Sequence, residues 1–328
     1  PGGSFMCTAA TYQTNYFYFG RTLDYEFSYV DEVTITPRNY PFNFSMAGNI
    51  NRHYAIMGIA YVVDGYPLYY EGVNEKGLCM AALNFTGNAI YKQALHNMYN
   101  ISQYEFIPWI LAQCSTIKQV KQLLARTNIV SMEINGLPAS QLHWMVSNRE
   151  GSLTVEPMQD GIKVYDNPVG ILTNNPPFNE QIFSLNNYMG LSIRTPNNNF
   201  SSKLDLQPYC QGMGAIGLPG DLSSQSRFVR AAFTKMNSFS GTSETESISQ
   251  LFHILGSVLQ PRGCCETSNG KYEYTIYTSC CNADKGIYYY TTYNNHQITS
   301  INMYNENLDS NVLVRFPLIK EEQIFAQN

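Results

Sequence analysis

Two pairs of amphipathic helices divide this chain into three strand-rich blocks, and few architectures can cover the apolar surfaces that this order creates. The spacing predicts one pair over Glu105–Cys114 and Ile117–Thr127, with Ser115 capping the second helix. The other pair falls at Ser224–Met236, where Phe228, Ala231, Ala232 and Phe233 share a face, and at Thr245–Leu259, where Ile248, Leu251, Phe252, Leu255 and Val258 form a stripe. Strand patterns precede the first pair at Glu32–Pro37, Ala55–Val62, Leu68–Glu71 and Leu78–Leu83. Between the pairs they recur at Leu142–Val146, Leu153–Glu156, Ile162–Asp166 and Gly170–Thr173. After the second pair come Tyr272–Tyr277, Ile287–Thr292 and Gln297–Asn302, the last two joined at Asn294-Asn295. The 25 tyrosines and 17 phenylalanines, with only 14% charged residues, suit extensive sheets. Two sheets packed together, with helices on both outer faces, satisfy every such surface.

Several function classes fall away on composition. A net charge of −5 and no basic cluster argue against nucleic acid or an anionic membrane as partner. The longest apolar run, Ala55–Val63, is too short to span a bilayer. No signal peptide is visible in Pro1–Met6, so the eight cysteines point to a reducing cytoplasm rather than a disulfide framework. Pro1–Phe5 read as residues left by cloning, ahead of a native initiator Met6, and residues 7–328 read as a single domain. The vicinal pairs Cys264-Cys265 and Cys280-Cys281 read as buried strand cysteines, since adjacent strand residues point to opposite faces and chelate poorly. The five histidines lack metal-ligand spacing, and His143 reads as a satisfied core residue. With no P-loop, dinucleotide fingerprint or nucleophile elbow, no metal or cofactor is expected.

The chemistry concentrates near the start. A cysteine at the head of a processed chain can be both nucleophile and, through its own α-amine (pKa roughly 7.7–8.0), carrier of the base. Cys7 fits that role once residues 1–6 are removed, although taken alone it reads rather as a small apolar strand residue, and only the rest of the chain reverses that. A hairpin with strands Thr8–Tyr12 and Asn15–Gly20, turning at Gln13-Thr14, would bring Arg21 and Asp24 back beside Cys7. A cation there favours the thiolate and a carboxylate can hold the amine.

Three further positions break local rules. Asn84 ends an apolar strand with an amide, and Asn174-Asn175 do the same before Pro176. Such amides can donate to an oxyanion, or can serve simply as turn residues. Arg227 puts a cation in the first turn of an apolar helix, where the macrodipole opposes it, and reads either as a source of positive potential or as a surface side chain.

Taken together these segments resemble the choloylglycine hydrolase family, the bile salt hydrolases of gut Gram-positive bacteria. The resemblance rests on Met6-Cys7-Thr8, Phe19 to Asp24, Val73 to Leu78, Leu83-Asn84-Phe85, Leu142-His143-Trp144 and Val169 to Asn174. It continues through Gly217 to Asp221, Ser226-Arg227-Phe228, Tyr277 to Cys280 and Lys285 to Tyr290, in the family's order. It implies an α+β N-terminal nucleophile hydrolase: a four-layer αββα sandwich of two antiparallel sheets, forming a homotetramer. The implied reaction is cleavage of the amide joining glycine or taurine to a bile acid, through a thioester. By position the nucleophile falls on Cys7, the charged supporting residues on Arg21, Asp24 and Arg227, and the oxyanion and amine-orienting amides on Asn84 and Asn174. A steroid body needs an apolar pocket, for which Tyr25, Phe27, Ala60, Val62, Ile129 and Leu137 are the candidates. Penicillin V acylases are the nearest alternative, but they carry tyrosine where this chain has Asn84. A non-catalytic binder of amphipathic ligands is the remaining reading. One departure stands out: with residues ahead of Met6, Cys7 has no free α-amine.

Overall fold

The computed structural model describes residues 6–29, 31–133 and 139–328. In chain order the strands of its two large sheets begin with β1 (Met6–Gln13), β2 (Phe17–Tyr25), β3 (Glu32–Thr36), β4 (Ile56–Val63) and β5 (Tyr66–Tyr69). They continue with β6 (Glu71–Asn74), β7 (Cys79–Asn84), β8 (Leu142–Asn148), β9 (Gly151–Met158) and β10 (Gly161–Asp166). The last are β11 (Ile171–Leu172), β12 (Tyr274–Asn282), β13 (Ile287–Thr292), β14 (Asn295–Asn302) and β15 (Val314–Pro317). The helices are α1 (Phe106–Leu111), α2 (Ile117–Leu124), α3 (Phe178–Ser184), α4 (Ser224–Asn237) and α5 (Glu244–Gly256).

The first sheet runs β11-β1-β2-β12-β13-β14 and the second β10-β9-β8-β7-β6-β4-β3-β15, with β5 beside β4; pairing in both is antiparallel. Strand alternation divides the apolar residues between two cores. Cys7, Ala9 and Leu23 of the first sheet share one core with Met57, Ile59, Val73 and Leu83 of the second, and α4 and α5 close the first sheet's outer face through Phe228, Ala231, Leu251 and Leu255. Ile56, Met80, Trp144 and Val146 point the other way, against Phe106, Ile110, Val120 and Leu124 of α1 and α2. The four-layer αββα sandwich expected from the sequence is the observed fold.

Local boundaries differ for identifiable reasons. The hairpin turns over Thr14–Tyr16, so β2 runs to Tyr25 and carries Arg21 and Asp24 within the strand rather than beyond it. Thr116, not Ser115, caps α2: its hydroxyl accepts from the Gln119 amide at 3.2 Å, and the Gln119 side chain returns to the Thr116 amide. Thr127, expected to end that helix, instead opens a short parallel strand, Thr127–Val130, paired with Tyr99–Ser102. Cys280 and Cys281 lie buried in β12 as expected, but Cys264 and Cys265 do not; they sit in the loop before it, Cys264 exposed. His143 is fully buried, with its ring nitrogens bonded to Glu156 Oε1 and Thr173 O.

Close approach of β2 to β12 fixes what can sit beside Arg21. A Cβ on Gly20 would lie 2.1 Å from Ser279 O, so the strands meet only because no side chain stands there. Gly20→Ala should therefore lose about 1–3 kcal/mol of stability or more, from overpacking. Chemical denaturation reads this directly, and an unchanged midpoint would contradict the close approach.

Candidate active site

Cys7 is held from both faces of the first sheet. It pairs with Leu23 in the hairpin register, so its side chain shares the inner face with Leu23, Arg21 and Tyr25. On that face Arg21 Nη2 donates to Cys7 Sγ at 2.5 Å. The guanidinium is fixed behind the sulfur by Ala82 O at 2.8 Å and Tyr70 O at 3.1 Å, with Glu71 Oε2 at 3.5 Å. On the helix face Arg227 reaches back from the first turn of α4. Its Nη1 donates to Cys7 O at 2.6 Å and Thr8 Oγ1 at 2.8 Å, and its Nη2 to Asn174 Oδ1 at 2.7 Å. Both arginines are fully buried, so Arg227 is not a surface side chain. The adverse helix-dipole position is offset by these acceptors, which lie off the helix in β1 and its neighbour.

The end of a strand ladder sets the backbone of Cys7. Ala9 and Ala10 pair with Leu172 and Ile171, and there β11 stops. Beyond it the Asn174 side chain takes the place of a strand partner, Oδ1 accepting from Cys7 N–H at 2.9 Å. Asn174 Nδ2 donates to Asn84 O at 2.9 Å, and Asn174 N donates to Ser224 Oγ at 2.8 Å. Asn174 thus grips the Cys7 nitrogen, which fits amine orientation better than oxyanion donation. Asn175 turns elsewhere, donating to Thr86 O. Asn84 lies at the end of β7, its Oδ1 accepting from Thr86 Oγ1 at 3.0 Å.

Asp24 is buried opposite Met6 in the hairpin. Its carboxylate accepts from Thr275 Oγ1 at 2.6 Å and from Gln260 Nε2 and Thr22 Oγ1, both at 3.3 Å. Burial pushes its carboxyl above the usual range, against the pull of Arg227 and Arg21. Burial likewise pushes the Cys7 thiol up to about 11, with Arg21 opposing. A thiol so placed stays protonated near neutrality unless a base adjoins it.

The pocket candidates separate. Tyr25 and Phe27 join Tyr29 and Tyr61 in a ring cluster, with centroid separations of 4.7 to 5.8 Å. Ala60 and Ile129 are buried in the outer core with Phe106 and Trp109, on the far side of the second sheet from Cys7, so they do not line a pocket at the thiol. Val62 shares the Ala60 face of β4, which leaves Tyr61 as the residue of that segment that meets the aromatic cluster. Leu137 lies outside the described residues. Sequence reasoning missed Thr275, Gln260 and Glu273. The last is a buried carboxyl that accepts from Met6 N–H, and the signal for it was an acid at the head of an aromatic strand. Among the described residues, no cluster of acids, histidines and cysteines could hold a metal ion.

Burial also raises Glu273, to about 8, against an unfolded value of roughly 4.3. The folded state prefers the neutral form, so this contribution to stability is full below the unfolded pKa and is lost as pH rises towards 8. Glu273→Gln removes that loss. The stability of the unmodified protein relative to the variant should therefore fall between pH 5 and pH 8 in urea titrations; a difference independent of pH would contradict the buried carboxyl.

Comparison with known proteins gives one consistent answer. The profile of the linear amide C–N hydrolases, choloylglycine hydrolase family, matches residues 7–316. A bile salt hydrolase/transferase of Lactiplantibacillus plantarum is 55% identical over 324 residues, covering 98% of this chain and 100% of the relative. One from Clostridium perfringens is 38% identical over 312 residues, covering 93% and 95%. A crystallised mutant of the conjugated bile acid hydrolase of Clostridium perfringens superposes with a TM-score of 0.91 at 36% identity, covering 98% of this chain and all of that one. A penicillin V acylase from Agrobacterium tumefaciens shares the fold at 19% identity, with a TM-score of 0.74 over 95% and 91% of the two chains.

Proposed function

Because the chain belongs to the choloylglycine hydrolase family, and is therefore a linear amide hydrolase, we propose that it cleaves glycine or taurine from conjugated bile acids with Cys7 as nucleophile. The single observation that supports this most is the grip on Cys7: a guanidinium on its sulfur and an amide oxygen on its nitrogen. In this reading removal of the residues through Met6 converts that nitrogen to an α-amine, still held by the Asn174 oxygen that Arg227 fixes in place. The amine takes the thiol proton, and the thiolate attacks the amide carbonyl. Proton transfer leaves the pair neutral overall, and Arg21 stabilises the sulfur's negative charge. Asn84 is the side-chain donor assigned to the oxyanion, a role usually worth about 10²–10³ in rate. The ammonium then protonates the leaving glycine or taurine, and water resolves the thioester. The name of the Lactiplantibacillus plantarum relative, hydrolase/transferase, fits an acyl-enzyme that an amine can also resolve. Tyr25, Phe27, Tyr29 and Tyr61 are the steroid-facing wall, since Tyr25 follows Leu23 on the face that carries Cys7.

Assembly as a homotetramer belongs to the same reading. The excursion between α3 and α4 leaves Met189 (80%), Phe200 (83%) and Tyr209 (81%) exposed, which a monomer rarely tolerates together. Light scattering should give four times the 37.1 kDa chain mass, and a monomer mass would contradict it. No helix among the described residues is long and apolar enough to cross a membrane, and the cysteines are free thiols, which supports a cytoplasmic setting.

Incubation with taurocholate, with and without prior iodoacetamide, tests the activity. Free taurine should appear only without alkylation, and Cys7→Ala should abolish it while preserving the fold. Substantial turnover by that variant would remove Cys7 from its role, and faster release from penicillin V than from taurocholate would overturn the substrate class.

A further inference from the structure

Two guanidiniums are buried around Cys7; Asp24 balances one of them, while Glu273, near Arg227, is pushed up to about 8 by burial and stays neutral near neutrality. An uncompensated charge in such a place is strongly unfavourable. The second negative charge comes from the opposite sheet. Glu71, on β6, is 2% exposed and reaches across the interface towards Arg21, with Oε2 3.5 Å from its Nη1. Its remaining lone pairs are claimed by phenols of the first sheet: Tyr277 donates to Oε2 at 2.7 Å and Tyr288 to Oε1 at 2.5 Å. Burial pushes the Glu71 carboxyl up, while Arg21, Tyr288 and Tyr277 pull it back.

We propose that Glu71 is a positioning residue for the reaction, acting through Arg21 to offset the guanidinium charge and so set the proton affinity of the Cys7 thiol. The inference rests on Cys7 being the nucleophile. Arg21 would keep its place without Glu71, because Ala82 O, Tyr70 O and Thr22 O still accept from it. What changes is the field at the sulfur. Cys7 faces Arg21 and Asp24 from β2 and Arg227 from α4; Glu71 faces Arg21, Tyr277 and Tyr288; Glu273 lies by Asp24 and Arg227, and Tyr70 links Arg21 to Asp31. With Asp24 and Glu71 ionised and Glu273 kept neutral by burial, two cations meet two carboxylates and the thiol titrates in a balanced cluster. With a neutral side chain there, one positive charge is left over, and it favours the thiolate.

The pH dependence of iodoacetamide alkylation tests this, read as the mass of the peptide that carries Cys7. Glu71→Gln should lower the alkylation midpoint by about one pH unit. Glu71→Asp, which keeps the charge, should leave it at the unmodified value, and Tyr288→Phe should shift it the same way as Gln by a smaller amount. An unmoved midpoint in folded Glu71→Gln, or equal shifts for Gln and Asp, would overturn the proposal. Should Glu71→Gln not fold, an unmoved midpoint in Tyr288→Phe would do so. A merely structural role would change thermal stability without moving the midpoint. Because alkylation needs no bile acid, the outcome is independent of whether taurocholate is cleaved.

Discussion

Everything at this site depends on holding a buried guanidinium against a sulfur without stranding charge between two sheets. Arg21 meets Cys7 Sγ on one side and three backbone carbonyls on the other, so its donors are satisfied whether or not substrate is present. That arrangement requires β2 to lie in the middle of the first sheet, covered on both faces, and all nine of its residues are buried. Gly20 lets β12 approach, and Glu71 crosses from the second sheet to meet the charge. The αββα architecture thus does more than bury apolar surface. It supplies a low-dielectric layer in which one hydrogen bond to sulfur has chemical weight.

The second element of control is where β11 stops. Had the ladder continued, a backbone carbonyl would have met Cys7 N–H, and the nitrogen would have been an ordinary strand amide. Asn174 substitutes a side-chain oxygen that is itself held by Arg227, so the same position can accept from an amide or from an amine. The sulfur of Cys7 is thereby fixed from the inner face of the sheet and its nitrogen from the strand-partner position beside it.

Much of this was legible because it follows from pattern. The two helical pairs and their bracketing strands forced two packed sheets; Arg227 was visible as a charge in an otherwise apolar helix, and Arg21 and Asp24 as the charged pair that a hairpin returns to Cys7. What failed to show were long-range contacts. Glu71 looked like the end of a strand from Leu68, whereas a break at Tyr70 begins a new strand that places it in the interface. Gln260 follows α5 with no signal, yet meets Asp24. Ala60 and Ile129 were candidates for the pocket because they are apolar, but strand parity and the Thr127–Val130 pairing put them in the outer core. Which of Asn84 and Asn174 meets Cys7 needed coordinates, because both are amides at strand ends and only Asn174 reaches the Cys7 nitrogen.

Catalysis by Cys7 requires a covalent bond between the substrate's acyl group and its sulfur. Acid quenching during taurocholate turnover, followed by mass analysis of the N-terminal peptide, tests that bond directly. A peptide beginning at Cys7 and heavier by one cholyl group is the expected result. Sustained turnover with the acyl group on another residue, or on a peptide that still carries Met6, would contradict it.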